Sequence, residues 1–132
     1  MNIGFQDLLD AANAKIETWT VSKAIDRHRE PDVIFVDLRD IRELKREGMI
    51  EGAFHCPRGM LEFWVHPESP YHKDIFARPE KTYLLYCASG WRSALSAAAL
   101  KDLGMDNVAH IEGGFTAWKE AGGAVADKKA GT

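Results

Sequence analysis

Two short runs constrain this chain more than anything else in it. Val33-Ile-Phe-Val-Asp37 and Thr82-Tyr-Leu-Leu-Tyr86 are β-branched, aliphatic or aromatic almost throughout, with no alternation of polar and apolar residues. A strand with one face in water alternates, whereas a strand covered on both faces does not. Helical patterns separate these runs and follow them. Strands of this kind demand a parallel sheet held between helical layers. The expected fold class is α/β: one domain with a mainly parallel central sheet and helices on both faces. At 132 residues the chain fits a single domain with a proper core.

The other elements follow from local pattern. Phe5, Leu8, Leu9 and Ala12 recur at helical spacing and predict a helix over Phe5–Lys15. Glu17–Val21 reads as an edge strand, and Ser22–His28 as a short helix closed by Pro31. Asp40–Glu47 is polar with Ile41 and Leu44 three apart, a short helix stopped by Gly48. Ala53–Cys56 is a brief strand ended by Pro57. Arg58–Glu80, with Pro67, Pro70 and Pro79, reads as loop with short helical turns. The alanine- and leucine-rich Ser93–Leu103 predicts a helix with Gly104 just past its end. Asn107–Ile111 is a third strand and Phe115–Ala121 a last helix. The domain is expected to span residues 1–125, with residues 1–16 as an N-terminal helical addition and Ala126–Thr132 as a disordered tail.

Composition excludes several classes. Hydrophobic residues make up 45% of the chain and the net charge is −3, with no basic run, so nucleic acid is not an expected partner. The N-terminus lacks the pattern of a secretory signal. The longest apolar run, Tyr83–Ala88, is far short of the ~20 residues of a membrane span, so no membrane partner is expected and the expected location is the cytoplasm. The two cysteines, Cys56 and Cys87, offer no CxxC or Cys/His ligand spacing, and no metal is expected. His28, His55, His66, His72 and His110 share no spacing and are read as ordinary residues.

Chemistry concentrates in Tyr83-Leu-Leu-Tyr-Cys87-Ala-Ser-Gly90-Trp-Arg92-Ser93. Cys87 falls at the C-terminal end of a buried strand, where open α/β sheets bind ligands. A loop curling over the cysteine turns backbone N–H groups inward as an anion nest. The following helix adds the positive end of its dipole, and Arg92 adds a full charge. All three favour thiolate over thiol. A cation in a first helical turn opposes the dipole, so Arg92 has a functional reason to be there. Cysteine-dependent phosphatases use a Cys-x5-Arg loop around phosphate. The spacing here is Cys-x4-Arg, a smaller cradle that suits one extra sulfur atom on the cysteine better than a phosphate. Trp91, a large aromatic within the loop, is expected to cap the pocket or meet a partner, unless it merely packs on Arg58–Val65. Ser93 reads either as a first-turn residue or as a site residue.

The loop Cys87-Ala-Ser-Gly90-Trp-Arg92-Ser93 resembles the active-site loop of the rhodanese family, Cys-x-x-Gly-x-Arg. Asp37-Leu-Arg39 with Glu43 behind it resembles that family's Asp-x-Arg element and downstream glutamate. Gly48-Met-Ile-Glu-Gly52-Ala-Phe-His-Cys-Pro57 is similar to its Gly-His-Ile-x-Gly-Ala-x-x-x-Pro segment, and Gly113-Gly114-Phe115-x-x-Trp118 to its C-terminal Gly-Gly-x-x-x-Trp. The resemblance covers about Glu17 to Gly123. Met49 departs from the histidine common in the family, Cys56 replaces an aliphatic residue, and residues 58–81 follow no family pattern.

The resemblance implies a sulfurtransferase of the thiosulfate:cyanide type. Cys87 would be the catalytic nucleophile and would hold sulfur as a persulfide. Arg92, with the loop residues Ala88, Ser89, Gly90, Trp91 and Ser93, would bind the substrate. Asp37, Arg39 and Glu43 would form an ion-pair network that supports the active-site face. The implied partners are a small anionic, thiosulfate-like sulfur donor and a thiol or cyanide acceptor, with a protein acceptor as a further option. No cofactor is implied. Two other functions fit the same residues: a persulfide carrier or binding module for a protein partner, and a cysteine-dependent phosphatase or arsenate reductase. Cys56 is either a core residue or a thiol that pairs with Cys87 on oxidation.

Overall fold

A computed structural model describes residues 1–128. It contains, in chain order, α1 (Phe5–Lys15), β1 (Glu17–Trp19), α2 (Val21–Asp26), β2 (Val33–Asp37), α3 (Ile41–Glu47), β3 (Met49–Ile50), β4 (Phe54–His55), α4 (Leu61–Val65), β5 (Thr82–Tyr86), α5 (Trp91–Asp102), β6 (Val108–Ile111), α6 (Gly114–Glu120) and β7 (Val125–Ala126). Five strands form one all-parallel sheet in the order β1-β6-β5-β2-β4. The two solid apolar runs, β2 and β5, lie side by side near its centre, from Val33 opposite Thr82 to Asp37 opposite Tyr86.

Successive side chains of a strand point to opposite faces, and the core divides accordingly. Leu84 and Tyr86 join Val33, Phe35, Ala109 and Ile111 in packing against Ala24 of α2 and Phe115 and Trp118 of α6. On the other face, Tyr83 and Leu85 join Val36 and Val108 against Ala97 and Leu100 of α5 and Leu61 of α4. Helices therefore cover both faces, which is why neither run alternates. Leu9 and Ala12 of α1 are buried, and Ala12 packs on Ala94 and Ala98 of α5 in a small outer cluster.

Several boundaries differ from the sequence expectation for identifiable reasons. The second helix begins at Val21, because Thr20 caps it by accepting from the Lys23 amide at 3.2 Å. Asp40 and Glu43 form a reciprocal capping box at the start of α3. The segment after Pro57 consists of 3₁₀ turns at Arg58–Met60 and Asp74–Phe76 around α4. The chain also forms an unexpected two-residue antiparallel ribbon, in which Met49 pairs with Ala126 and Ile50 with Val125. The expected disordered tail is therefore corrected at its start, since Ala126 belongs to β7. Residues 129–132 of that tail lie outside the described residues. Among the described residues, no helix is long and apolar enough to cross a membrane.

Candidate active site

Cys87 follows the last residue of β5, and its chain turns at once into α5. Gly90 makes the turn. It caps the helix with φ 105°, in the left-handed region that favours glycine. The helix begins two residues earlier than its alanine-rich pattern suggests, which places Arg92 in its first turn and makes Ser93 the third helical residue. The thiol is enclosed, since Cys87 is only 1% exposed. Two loop amides donate to its sulfur: Gly90 N lies 3.2 Å from Sγ and Ser93 N 3.4 Å. Ala88 and Ser89 shape the loop, and Ser89 is exposed.

The start of α6 supports the loop from below. The Phe115 amide donates to the Cys87 carbonyl at 2.8 Å and the Thr116 amide to that of Ala88 at 3.1 Å. Gly114 permits this approach. A Cβ there would lie 2.5 Å from the Cys87 carbonyl oxygen. The Gly-Gly turn thus braces the cysteine loop directly.

The three charged residues expected to form one network fall, together with Arg92, into two ion pairs. Asp37 and Arg39 are both fully buried. Arg39 donates to both Asp37 carboxylate oxygens at 2.8 and 3.0 Å and to the Gly48 carbonyl at 2.7 Å. The second carboxylate near this guanidinium is Glu47, at 3.4 Å. Glu43 stays within electrostatic reach of Arg39 and binds Arg92 directly, with Nη1–Oε1 at 2.7 Å and Nη2–Oε2 at 3.0 Å. The Arg92 bond holds the Glu43 carboxyl below the usual range. The free cation expected of Arg92 is therefore half of an ion pair.

Trp91 meets Phe5 of α1 edge to face, with ring centroids 4.9 Å apart, and stays 57% exposed. Cys56 is fully buried in the core, where burial pushes its thiol up to about 12. That state suits packing and not redox chemistry.

The sequence reading passed over His110. It is 3% exposed and sits on β6 beside Leu85 of β5. Its Nδ1 lies 2.9 Å from Ser93 Oγ, and Ser93 Oγ lies 3.6 Å from Cys87 Sγ. Its Nε2 meets Asn13 Oδ1 of α1 at 3.2 Å. No spacing in the sequence signals this, because only the β5–β6 pairing brings residue 110 beneath residue 93. Among the described residues, no group of three or more His, Cys, Asp or Glu is placed to hold a metal ion.

A parallel α/β sheet that sets a cysteine under the first turn of a helix, at the end of a central strand, defines a recognisable class of domain. The chain belongs to the rhodanese-like domain family, which it matches over residues 20–121. Its fold closely follows that of a protein of unknown function from Rhodopseudomonas palustris, called a possible tyrosine phosphatase. The two share 51% identity at a TM-score of 0.90, over 96% of each chain. The polysulfide-sulfur transferase homodimer of Wolinella succinogenes is 27% identical at a TM-score of 0.71, over 96% of this chain and 90% of that one. The tRNA uridine(34) hydroxylase of Yersinia pestis is 31% identical over 112 residues, which is 83% of this chain and 29% of that protein. The chain spans 58% and 29% of the lengths of the first curated relatives it matches.

Proposed function

We propose that the protein is a sulfurtransferase that carries sulfane sulfur as a persulfide on Cys87. The observation that carries this reading is the Cys87 sulfur itself, nine-tenths enclosed and more, with the Gly90 and Ser93 amides directed at it. Backbone N–H groups converging on sulfur stabilise a thiolate and equally a persulfide anion. The thiolate attacks the outer sulfur of a donor such as thiosulfate, and a new S–S bond forms. The donor's S–S bond breaks, and sulfite leaves with its electron pair. A thiol or cyanide acceptor then attacks the terminal sulfur, and the Cys87 thiolate is released.

Donors other than thiosulfate suit the site as well. Arg92 shares its charge with Glu43, so the pocket is less cationic than the loop sequence suggests. An alkyl persulfide anion carries one negative charge in all, where thiosulfate carries two. The name of the Wolinella neighbour agrees with a donor of this kind.

The name of the Rhodopseudomonas neighbour raises a phosphatase reading. Phosphate needs several donors around its oxygens, commonly including an arginine fork. Here both terminal nitrogens of Arg92 are bound by Glu43, and two amides serve the sulfur. The geometry favours sulfur.

The test is intact mass after incubating reduced protein with thiosulfate, mercaptopyruvate or glutathione persulfide. The expected result is gain of one sulfur atom that cyanide removes and that Cys87→Ser lacks. No gain with any donor, together with hydrolysis of an aryl phosphate, would overturn the reading in favour of a phosphatase. Stable loading with slow release to small acceptors would identify a carrier for a protein partner.

A further inference from the structure

Four side chains stand in line from the helical addition to the sulfur: Asn13, His110, Ser93 and Cys87. The orientation of each is determined by the next. Asn13 Nδ2 donates to the Leu9 carbonyl at 3.0 Å, which leaves Oδ1 facing His110 Nε2 at 3.2 Å. An amide oxygen only accepts, so Nε2 carries the ring hydrogen. A neutral imidazole with its hydrogen on Nε2 has a lone pair on Nδ1. Ser93, at 2.9 Å, must donate its hydroxyl hydrogen there. The Ser93 lone pairs then face Cys87 Sγ at 3.6 Å and accept from the thiol. The hydrogen bonds run in one direction, from S–H to Asn13.

We propose that His110, held by Asn13 and reaching the thiol through the Ser93 hydroxyl, takes up the Cys87 proton and generates the thiolate inside the protein. This deepens the sulfurtransferase reading, because it rests on Cys87 being the nucleophile. Two protons move. The S–H bond breaks as a new O–H bond forms on Ser93, and the original Ser93 O–H bond breaks as an N–H bond forms at Nδ1. The products are a thiolate, an intact serine and an imidazolium. Every polar group remains paired. The sulfur now accepts from the Gly90 and Ser93 amides and the Ser93 hydroxyl, Ser93 accepts from Nδ1–H, and Nε2–H stays on Asn13.

The surroundings of His110 fit this task. Asn13 faces it from α1, Ser93 from α5 and Leu85 from β5, and its partner on β1 is Thr18. The charged residue nearby is Glu112, which lines the same cleft of about 400 Å³, as do Ser89 and Trp91. Burial keeps the ring neutral down to about 4. A negative sulfur at the other end of the series supplies the compensation that burial denies. The cleft gives the proton an exit to water. Arg92, paired with Glu43 and facing Cys87, stabilises a thiolate but carries no lone pair to take up its proton, which this series does.

The test is the rate of Cys87 alkylation by iodoacetamide, followed by intact mass across a pH series on the reduced full chain. Cys56 and Cys87 are both buried, so peptide mapping of the adduct separates the two thiols. In His110→Gln, alkylation near pH 7 is expected to fall about tenfold and to rejoin the wild-type rate near pH 10, where solvent ionises the thiol unaided. In Asn13→Asp, a carboxylate facing Nε2–H makes the ring more basic, and alkylation near pH 6 is expected to rise about tenfold. A His110→Gln profile that superposes on wild type would overturn the proposal. So would a loss equal at every pH, which reports a damaged loop, or a slower Asn13→Asp. Alkylation involves no sulfur donor. Failure of the wild-type protein to take up sulfur would therefore defeat the sulfurtransferase reading without touching this result.

Discussion

Arg92 and Glu43 form a two-pronged ion pair, with nitrogen–oxygen distances of 2.7 and 3.0 Å, at the mouth of the cysteine loop. Arg92 is 34% exposed at its side chain and Glu43 19%, so the pair is only partly screened by water. Each residue limits what the other can do. Glu43 holds the guanidinium in place and offsets its charge, while Arg92 neutralises the carboxylate.

Removing one partner exposes this balance. Arg92→Leu leaves the Glu43 carboxylate without its counter-charge, and the KM for an anionic donor is expected to rise about tenfold. Glu43→Gln keeps one of the two hydrogen bonds and frees the charge, and the same KM is expected to fall about threefold, with stronger dependence on salt. Initial rates against donor concentration at two ionic strengths measure both.

Asp37 and Arg39 are a different case, since neither is exposed. Arg39→Met takes the guanidinium from the Asp37 carboxylate and the Gly48 carbonyl and leaves the buried charge only neutral donors, among them the residue 39 amide at 3.0 Å. Removing one partner of a buried pair costs about 3–5 kcal/mol. Urea unfolding is expected to show a loss of that size.

Gly114→Ala should harm the loop more than its small size implies. The residue has φ 57°, and an added Cβ would lie 2.5 Å from the Cys87 carbonyl oxygen. Gly52→Ala is the control, with φ 83° and open space around it. The control is expected to cost about 1 kcal/mol and Gly114→Ala about 3 kcal/mol. Only Gly114→Ala should slow Cys87 alkylation, since it alone displaces the loop.

His110 makes stability depend on pH. The ring titrates at 6.5 in an ordinary setting and at about 4 when buried here. Between those values the unfolded chain binds more protons than the folded one, so acid favours unfolding. Stability present above pH 6.5 is lost as pH falls to about 4, by about 3 kcal/mol in all. Thermal unfolding from pH 7 to pH 4 should show this loss, and His110→Gln should lack it.

Cys56→Ala should leave sulfur loading intact. Its thiol is fully buried and pushed up to about 12, so it neither attacks a donor nor resolves a persulfide under native conditions. Intact mass after donor treatment, compared with Cys87→Ser, checks this.

Much of the architecture was legible in the chain itself. Val33–Asp37 and Thr82–Tyr86 announced strands buried on both faces, because only a strand without a wet side dispenses with alternation. Cys87, Gly90 and the alanine-rich helix after them announced the strand–turn–helix, because the residues that make such a turn are adjacent in sequence. Other elements were blurred at their ends. Caps such as Thr20 and the Asp40–Glu43 box set those ends, and the two-residue β3–β7 ribbon is too short to carry a pattern.

The sequence by itself determined the sheet class, the place of the thiol and the loop that covers it, since all of these rest on neighbours along the chain. Tertiary structure alone decided what surrounds the sulfur. Glu43 reaches Arg92 across 49 residues, His110 reaches Ser93 across 17, and Asn13 reaches His110 across 97. Periodicity reports which face of an element is buried. It does not report which polar groups meet there, because those meetings depend on the strand order β1-β6-β5-β2 and on α1 lying across α5.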